Sequence, residues 1–280
     1  MPRSVRPLPM PVRDHAGFPF PILALPRRLR PQAAAIRTFV VNARSIADAT
    51  LCTAAERLGR LDRLQDQLDQ ITRDQRPDEP ILGNLGAMIR EGSLPLEPFH
   101  DLLHAARDDV TITRYRSFGE LMPHVRRSAN PIGRLLLHLS GTAPPRSLAL
   151  SDGVCSSLWL IGVLRDLPLD YAKGRLFLPL EEMERYGVKE TQIAGHDGGG
   201  GWGPLMLFQI ERARKMLQAG ASLGQDGCFG FRARALIIAG ERLLKKLHEA
   251  RGDVFRSRPV LGVHDWPYIF GRALFPRLRP

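Results

Sequence analysis

The chain has 280 residues, 44% hydrophobic and 7% aromatic, and a formal net charge of +11 with a pI near 10.4. This length suits one large helical domain with a continuous core. The low aromatic content and the scarcity of alternating apolar runs favour packed helices over a sheet sandwich. The charge favours anionic partners, but nucleic acid is not an expected one, because no basic stripe is interleaved with aromatic residues.

The N-terminal residues 1–17 are rich in proline and arginine and lack hydrophobic periodicity, which predicts a flexible basic arm before a folded domain at 18–280. Prolines interrupt the apolar run 18–25, so it does not resemble a signal-peptide core. Three cysteines without metal-ligand spacing indicate a reducing compartment. We therefore expect a cytoplasmic protein that contacts an anionic membrane at its inner face only peripherally, since no apolar stretch approaches the ~18 residues of a membrane span.

Helical periodicity accounts for most of the chain, and no repeat of fixed length is present. The glycine tract 198–201 is expected to be an irregular, flexible connection. The predicted helices cover residues 31–49, 54–71, 81–91, 96–108, 118–127, 131–140, 147–172, 204–222 and 229–250.

Two acids in the predicted helix 147–172 are candidate metal ligands. Asp166 and Asp170 lie four residues apart, so their carboxylates project from one helical face. Mg²⁺ prefers oxygen ligands and usually bridges one or two protein carboxylates to phosphate oxygens. On spacing alone, a solvated helix face is the favoured interpretation, and the residues that follow the pair change it.

The segment 164–180 resembles the second aspartate motif of squalene and phytoene synthases, because Asp166 and Asp170 are followed by Lys173-Gly-Arg175 and then by an aromatic-Leu-Pro sequence. Residues 181–188 resemble the short helix that comes next in that family. Other stretches agree in order and spacing, and several resemble the hydroxysqualene synthases of hopanoid biosynthesis in particular. These stretches are 17–19, 25–31, 108–115, 126–134 and 252–259.

The resemblance covers about residues 17–275 and implies an all-α, single-domain bundle of the trans-isoprenyl diphosphate synthase type around a central cavity. It implies two aspartate motifs that hold Mg²⁺ against a prenyl diphosphate. The implied reaction converts presqualene diphosphate to hydroxysqualene and releases diphosphate. Farnesyl diphosphate is the alternative substrate, and a companion synthase is the candidate partner.

Specific residues take roles under the same resemblance. Asp48, Asp166 and Asp170 are the implied catalytic and metal-binding acids. Taken without the resemblance, each of the basic residues Arg114, Lys173 and Arg175 is more readily explained as a surface charge. The implied diphosphate-binding residues are Arg44, Arg114, Tyr115, Asn130, Lys173 and Arg175.

The first aspartate motif departs from the family pattern, because Arg44 and Ser45 stand where consecutive acids normally open it, while Asp48 remains. A guanidinium there would repel Mg²⁺. Two interpretations stay open. Either Arg44 contacts the diphosphate directly as a cationic clamp, or the chain is a catalytically degenerate paralogue that binds prenyl diphosphate or serves as a partner subunit.

The second motif departs from the pattern as well. Gly162 and Trp159 stand where the family often has amide residues, and His124 stands where it often has tyrosine. Pro168 lies between the two aspartates, and we expect it to kink the helix.

Overall fold

The computed structural model describes residues 26–73, 80–141, 143–225 and 230–275. The predicted arm and its boundary with the domain lie outside these ranges. In the described part of the chain there are helices and no strand, which confirms the all-α prediction. The α-helices are α1 Arg30–Ala47, α2 Ala54–Thr72, α3 Pro80–Arg90, α4 Glu97–Thr111, α5 Phe118–Leu139, α6 Pro145–Ala172, α7 Leu180–Arg185, α8 Glu190–Ala194, α9 Trp202–Ala219, α10 Gly230–Glu249 and α11 Asp265–Leu274, with short 3-10 turns at Arg27–Leu29 and Ala221–Gln225.

The first two helices have clear local causes. Proline at position 31 suits the first turn of α1, where its missing N–H costs nothing. A capping box begins α2: Thr53 Oγ1 accepts from the backbone N–H of Glu56 at 3.2 Å, and the Glu56 carboxylate accepts from the Thr53 N–H at 2.7 Å. On α1, Phe39 is fully buried and meets Phe99 of α4 edge to face, with ring centroids 5.1 Å apart.

The prediction of two helices at 118–127 and 131–140 is wrong, because α5 runs unbroken through Pro131. A proline removes one backbone donor, but close packing offsets that loss. A Cβ added at Gly133 would crowd Ser151 and Cys155 of α6, so the glycine lets the two helices approach.

Helix α6 crosses the bundle and packs against α5, α9 and α10. It runs unbroken from Pro145 through Pro168 to Ala172, so Pro168 does not end it. Among the described residues, α6 is the one helix long and apolar enough to span a bilayer by length and composition. Half of that apolar stretch is buried inside the protein.

The glycine tract is irregular, as predicted, and its last residue, Gly201, immediately precedes α9. A Cβ on Gly201 would overlap the backbone carbonyl oxygen of Tyr186, so the close approach requires glycine. Trp202 is fully buried, and its indole N–H donates to the Gly252 carbonyl at 2.9 Å. The short helix α7 agrees with the prediction for 181–188, whereas α8 and α11 were not predicted.

Candidate functional site

The chain turns sharply at the C-terminus of α6, and this turn carries two basic side chains. Gly174 has φ +82°, its N–H donates to the Tyr171 carbonyl at 2.8 Å, and the Arg175 N–H donates to the Asp170 carbonyl at 2.9 Å. This pair of bonds is a Schellman motif, which needs a left-handed residue after the helix. The Lys173-Gly-Arg175 sequence is therefore a helix stop that also positions two cations.

These cations meet Asp48 at the C-terminus of α1. Arg175 Nη2 donates to Asp48 Oδ1 at 2.8 Å, and Lys173 Nζ donates to Asp48 Oδ2. Burial alone would raise the pKa of Asp48, but the charges of Arg175 and Lys173 outweigh it and hold the pKa below its ordinary value. The surviving acid of the first motif is thus joined to the basic residues of the second.

A second set of charges lies against the other side of Arg175. Its Nη1 is 3.9 Å from Asp109 Oδ2 on α4, and Nη2 is 4.0 Å from Asp170 Oδ1. Buried His124 on α5 places Nε2 3.3 Å from Asp109 Oδ1 and Nδ1 3.8 Å from Asp108 Oδ2. Arg175 therefore lies between carboxylates of α1, α4 and α6.

Burial and charge act against each other on the Asp109–His124 pair. Burial would raise the pKa of Asp109, but His124, Arg175 and Arg44 lower it below its ordinary value. Burial would lower the pKa of His124, but the carboxylates of Asp108 and Asp109 raise it above 6.5. Both directions favour an ionised pair.

Arg44 contributes to the same cluster of charges. Its charge stabilises the ionised form of Asp109 and lowers the pKa of that carboxyl. Arg44 also accepts, through its carbonyl, the backbone N–H of Asp48 at 2.8 Å. Ser45 beside it is exposed.

Asp166 is buried one turn before Asp170, where two arginines bind it. Arg165 donates to it through Nε at 3.0 Å and Nη2 at 2.8 Å, and Arg258 Nε donates at 2.5 Å. Gly162 lies one further turn back, and a Cβ there would meet nothing within 4 Å. The missing side chain at this position therefore leaves open space beside the acids.

Three other predicted residues have different surroundings. Arg114 donates through Nε and Nη2 to the two oxygens of Glu190, each at 2.8 Å, so its guanidinium ties α8 to the site's edge. Asn130 is buried and accepts from Ser156 Oγ at 2.8 Å between α5 and α6. Tyr115 is buried, and burial together with Asp109 and Asp108 raises the pKa of its phenol.

An aromatic group adjoins the charges. Phe177, two residues after Arg175, has its ring centroid 5.1 Å from Trp159, 5.6 Å from His124 and 6.1 Å from Tyr115. The approach depends on pairing between the chain after α6 and that after α4, since the Leu176 N–H donates to the Thr113 carbonyl. One end of the bundle thus combines fixed charges with an aromatic wall.

Sequence reasoning assigned no role to several residues that shape this site. Asp108 and Asp109 belong to the stretch 108–115 that resembles the family, and two adjacent acids at the end of a helix are the signal for them in the sequence. His124 departs from the tyrosine that the family often has, and this departure alone does not indicate its role. Arg258 falls within the stretch 252–259, and nothing local in the sequence connects it with Asp166.

The donor set can be tested against Mg²⁺. Within the described ranges, no three or more His, Cys, Asp or Glu side chains are grouped so as to hold a metal ion. Mg²⁺ bound through substrate phosphates needs only one or two protein carboxylates. Asp166 and Asp170, one turn apart on α6, have the spacing for that smaller requirement, but Asp166 accepts from Arg165 and Arg258, and Arg44 adds positive charge to the α1 side.

The fold and the site together define an all-α bundle with a mixed acidic and basic site where α1, α4 and α6 meet. A model of the squalene/phytoene synthase family matches residues 13–264. The chain is 29% identical over 210 residues to the phytoene synthase of Mycobacterium tuberculosis, covering 74% of this chain and 68% of that one. It is 28% identical over 222 residues to the phytoene synthase of Arthrospira platensis, covering 72% and 70%.

Solved structures agree with the sequence relatives. The squalene synthase HpnC of Alicyclobacillus acidocaldarius superposes with a TM-score of 0.75 at 25% identity, covering 82% of this chain and 86% of that one. A dehydrosqualene synthase superposes with a TM-score of 0.79 at 19% identity, covering 90% and 88%, and this likeness concerns the fold alone. The chain belongs to the squalene/phytoene synthase family.

Proposed function

We propose that the protein is an enzyme that converts presqualene diphosphate to hydroxysqualene with release of diphosphate. The observation that supports this most is the meeting of Lys173 and Arg175 with three carboxylates beside an aromatic wall. Such a site offers cations to a diphosphate and an apolar surface to the hydrocarbon attached to it.

Fixed cations suit the first chemical step. When the carbon–oxygen bond breaks, its electron pair stays with the diphosphate, whose negative charge grows. Lys173 and Arg175 are already held in position by Asp48, so little reorganisation is needed to stabilise that charge. Arg44 would add a planar pair of donors from α1. Mg²⁺, held by Asp166 and Asp170, would supply further charge neutralisation of the leaving group.

A metal-binding role for Asp48 remains a proposal, because both of its carboxylate oxygens accept hydrogen bonds from Lys173 and Arg175 in this structure. Its second role is to hold those cations before substrate binds.

Arg114 has contacts that favour a supporting role over diphosphate binding. Its guanidinium binds Glu190, and its Nη1 also donates to the Gly174 carbonyl at 2.7 Å, so it supports the Lys173-Gly-Arg175 turn.

The aromatic wall suits the second step. The carbocation left after ionisation can lie against the negative faces of Trp159, Phe177 and Tyr115. The cyclopropylcarbinyl cation then rearranges with opening of the three-membered ring. Water adds to the rearranged cation, and its proton passes to the released diphosphate, which gives the alcohol. Farnesyl diphosphate is a second candidate substrate, a companion synthase a candidate partner, and the cytoplasm the proposed location.

The test is to incubate purified protein with presqualene diphosphate and Mg²⁺, and to measure diphosphate release and hydroxysqualene by mass spectrometry. Farnesyl diphosphate is supplied in a parallel reaction. Asp170→Asn should lower turnover at least about tenfold, as expected for a carboxylate that would hold the metal ion neutralising the departing charge. Asp152→Asn is the matched control, because Asp152 lies on the same helix and pairs with Arg134 at 2.6 Å.

Each outcome has a distinct meaning. Saturable binding of presqualene diphosphate without any product would replace the enzyme with a non-catalytic binding or partner subunit. Full turnover in Asp170→Asn would remove that carboxylate from the mechanism while leaving the reaction in place.

A further inference from the structure

Exposed apolar side chains are concentrated in one short part of the chain. Nine large hydrophobic side chains are exposed within the described ranges, and six of them lie in the 16 residues 260–275. Contiguous exposed apolar surface of this kind marks an interaction site more often than isolated residues do. The six are Val260, Val263, Tyr268, Phe270, Leu274 and Phe275.

Helix α11 is apolar on both of its faces. Its inward face buries Ile269 and Ala273 against α10. A second, neighbouring face presents Phe270 and Leu274, which lie four residues apart and are 38% and 59% exposed, although the Phe270 ring also stacks on Phe231 and Trp266 at centroid distances of 6.4 Å and 5.7 Å. A surface helix normally turns charged residues outward, whereas here contacts within the described chain leave more than a third of Phe270 and more than half of Leu274 exposed.

Charge is arranged at the margin of that face. Arg242 and Arg272 lie over the ring of Tyr268, at 5.3 Å and 5.9 Å from its centroid. The single acid in residues 256–275 is Asp265, which is buried and bound by Arg242 and Lys246. Residues 256–275 therefore combine apolar side chains with a basic margin and contribute no exposed carboxylate, although Arg272 and Arg242 interact electrostatically with Glu241 and Glu249 of α10.

We propose that α11 and the preceding residues 260–264 dock the protein on an anionic lipid surface. Phe270 and Leu274 enter the boundary between headgroups and acyl chains, and Arg242 and Arg272 contact lipid phosphates. Apolar side chains with a basic margin are the features by which interfacial helices bind anionic bilayers, and the net charge of +11 adds attraction to the whole molecule.

The size of the surface favours lipid over a second protein. A helix of ten residues is about 15 Å long and about 10 Å wide. Its outward face is therefore far smaller than the ~800 Å² per partner of a standard protein interface. Insertion into lipid needs no matching partner surface, so a small apolar face is enough when charge assists it.

The docking surface is continuous with the candidate site. Arg258, which donates to Asp166, lies only two residues before exposed Val260. Docking would thus hold the Asp166 side of the site near the lipid surface, whichever substrate the site accepts.

The experiment measures co-sedimentation of the whole protein with vesicles of phosphatidylcholine alone and of phosphatidylcholine mixed with phosphatidylglycerol. Wild type should bind the anionic vesicles, and added salt should weaken the binding. Phe270→Glu with Leu274→Glu should weaken it at least about tenfold, since two apolar contacts are lost. The control is Leu51→Glu with Ile112→Glu, two exposed hydrophobic residues outside the surface, and it should bind like wild type.

Circular dichroism shows whether the variants fold, and Phe270→Ser with Leu274→Ser provides a milder pair if the glutamates disturb α11. The proposal is overturned if wild type fails to bind either vesicle, or if the α11 variants and the control bind equally. Absence of vesicle binding together with self-association that the α11 variants abolish would assign the surface to a second copy of the chain.

Discussion

Asp48 and Arg175 lie 127 positions apart in the sequence, yet Arg175 Nη2 donates to Asp48 Oδ1 at 2.8 Å. The contact joins the C-terminus of α1 to the segment that follows α6. In the family pattern these are the places of the first and second aspartate motifs. Here the remaining acid of the first motif therefore fixes the cations of the second.

Asp48→Asn should lower the free energy of unfolding by about 1–3 kcal/mol at pH 7, because two basic side chains lose a charged acceptor and Arg175 is buried. The pKa of Asp48 is lowered by folding, so its contribution is present above the ordinary value of 3.8 and is lost as the pH falls below it. Urea denaturation at several pH values measures this.

Asp62→Asn is the control for that series. Asp62 pairs with Arg107 at 2.8 Å but is 62% exposed, so its loss should change stability by less than about 0.5 kcal/mol. Equal losses at the two positions would show that the Asp48 contacts contribute no more than a surface ion pair.

Arg44→Gln tests the cationic clamp. If Arg44 binds the diphosphate, its removal should weaken presqualene diphosphate binding about 10- to 100-fold, which corresponds to the ~1.5–3 kcal/mol of a hydrogen bond to a charged group. Calorimetric titration measures the affinity, and Arg60→Gln on the exposed side of α2 is the control. Unchanged affinity in Arg44→Gln would rule out the clamp and leave Arg44 as a partner of Asp109.

The part of the site that is local in sequence could be predicted. Asp166 and Asp170 are four residues apart in a long apolar helix, and a glycine two residues after its end is a typical stop. The roles of Lys173 and Arg175 beside those acids were implied by the resemblance to the family's second aspartate motif and not by spacing. The same reasoning gave α1, α2 and α6 nearly their observed bounds.

The rest depends on tertiary contacts. Asp109 reaches Arg175 only because Leu176 pairs with Thr113 across the ends of α4 and α6. Helix α11 was missed because apolar residues occur on both of its faces, so they form no single stripe with a 3.6-residue period. The helix break predicted before Pro131 was wrong, because proline usually interrupts a helix, whereas packing against α6 keeps α5 continuous.

The pKa of His124 should be measurable above its ordinary value of 6.5, because Asp108 and Asp109 stabilise the imidazolium. A group whose pKa is raised by folding contributes stability that is fully present below the unfolded value and lost as the pH rises through the folded one. The stability difference between wild type and His124→Gln should therefore be largest near pH 6 and shrink at higher pH.

Histidine resonances followed by NMR give the pKa directly, and urea denaturation across the same pH range gives the stability difference. His104→Gln removes an exposed imidazole from α4 and is the matched control. A pKa at or below 6.5 for His124 would mean that burial outweighs the two carboxylates and that the imidazole is neutral beside Arg175.

Gly201→Ala should lower the free energy of unfolding by about 1–3 kcal/mol, because the new Cβ would overlap the Tyr186 carbonyl oxygen and push α9 from the end of α7. Gly201 has φ −74°, which alanine adopts without strain, so the effect is purely steric. Gly203→Ala, two residues later, meets only the Arg251 carbonyl at 3.9 Å and should be neutral or stabilising by up to about 1 kcal/mol. Thermal and urea denaturation of the two variants should therefore shift in opposite directions or differ clearly in size, and equal shifts would contradict the close contact between Gly201 and Tyr186.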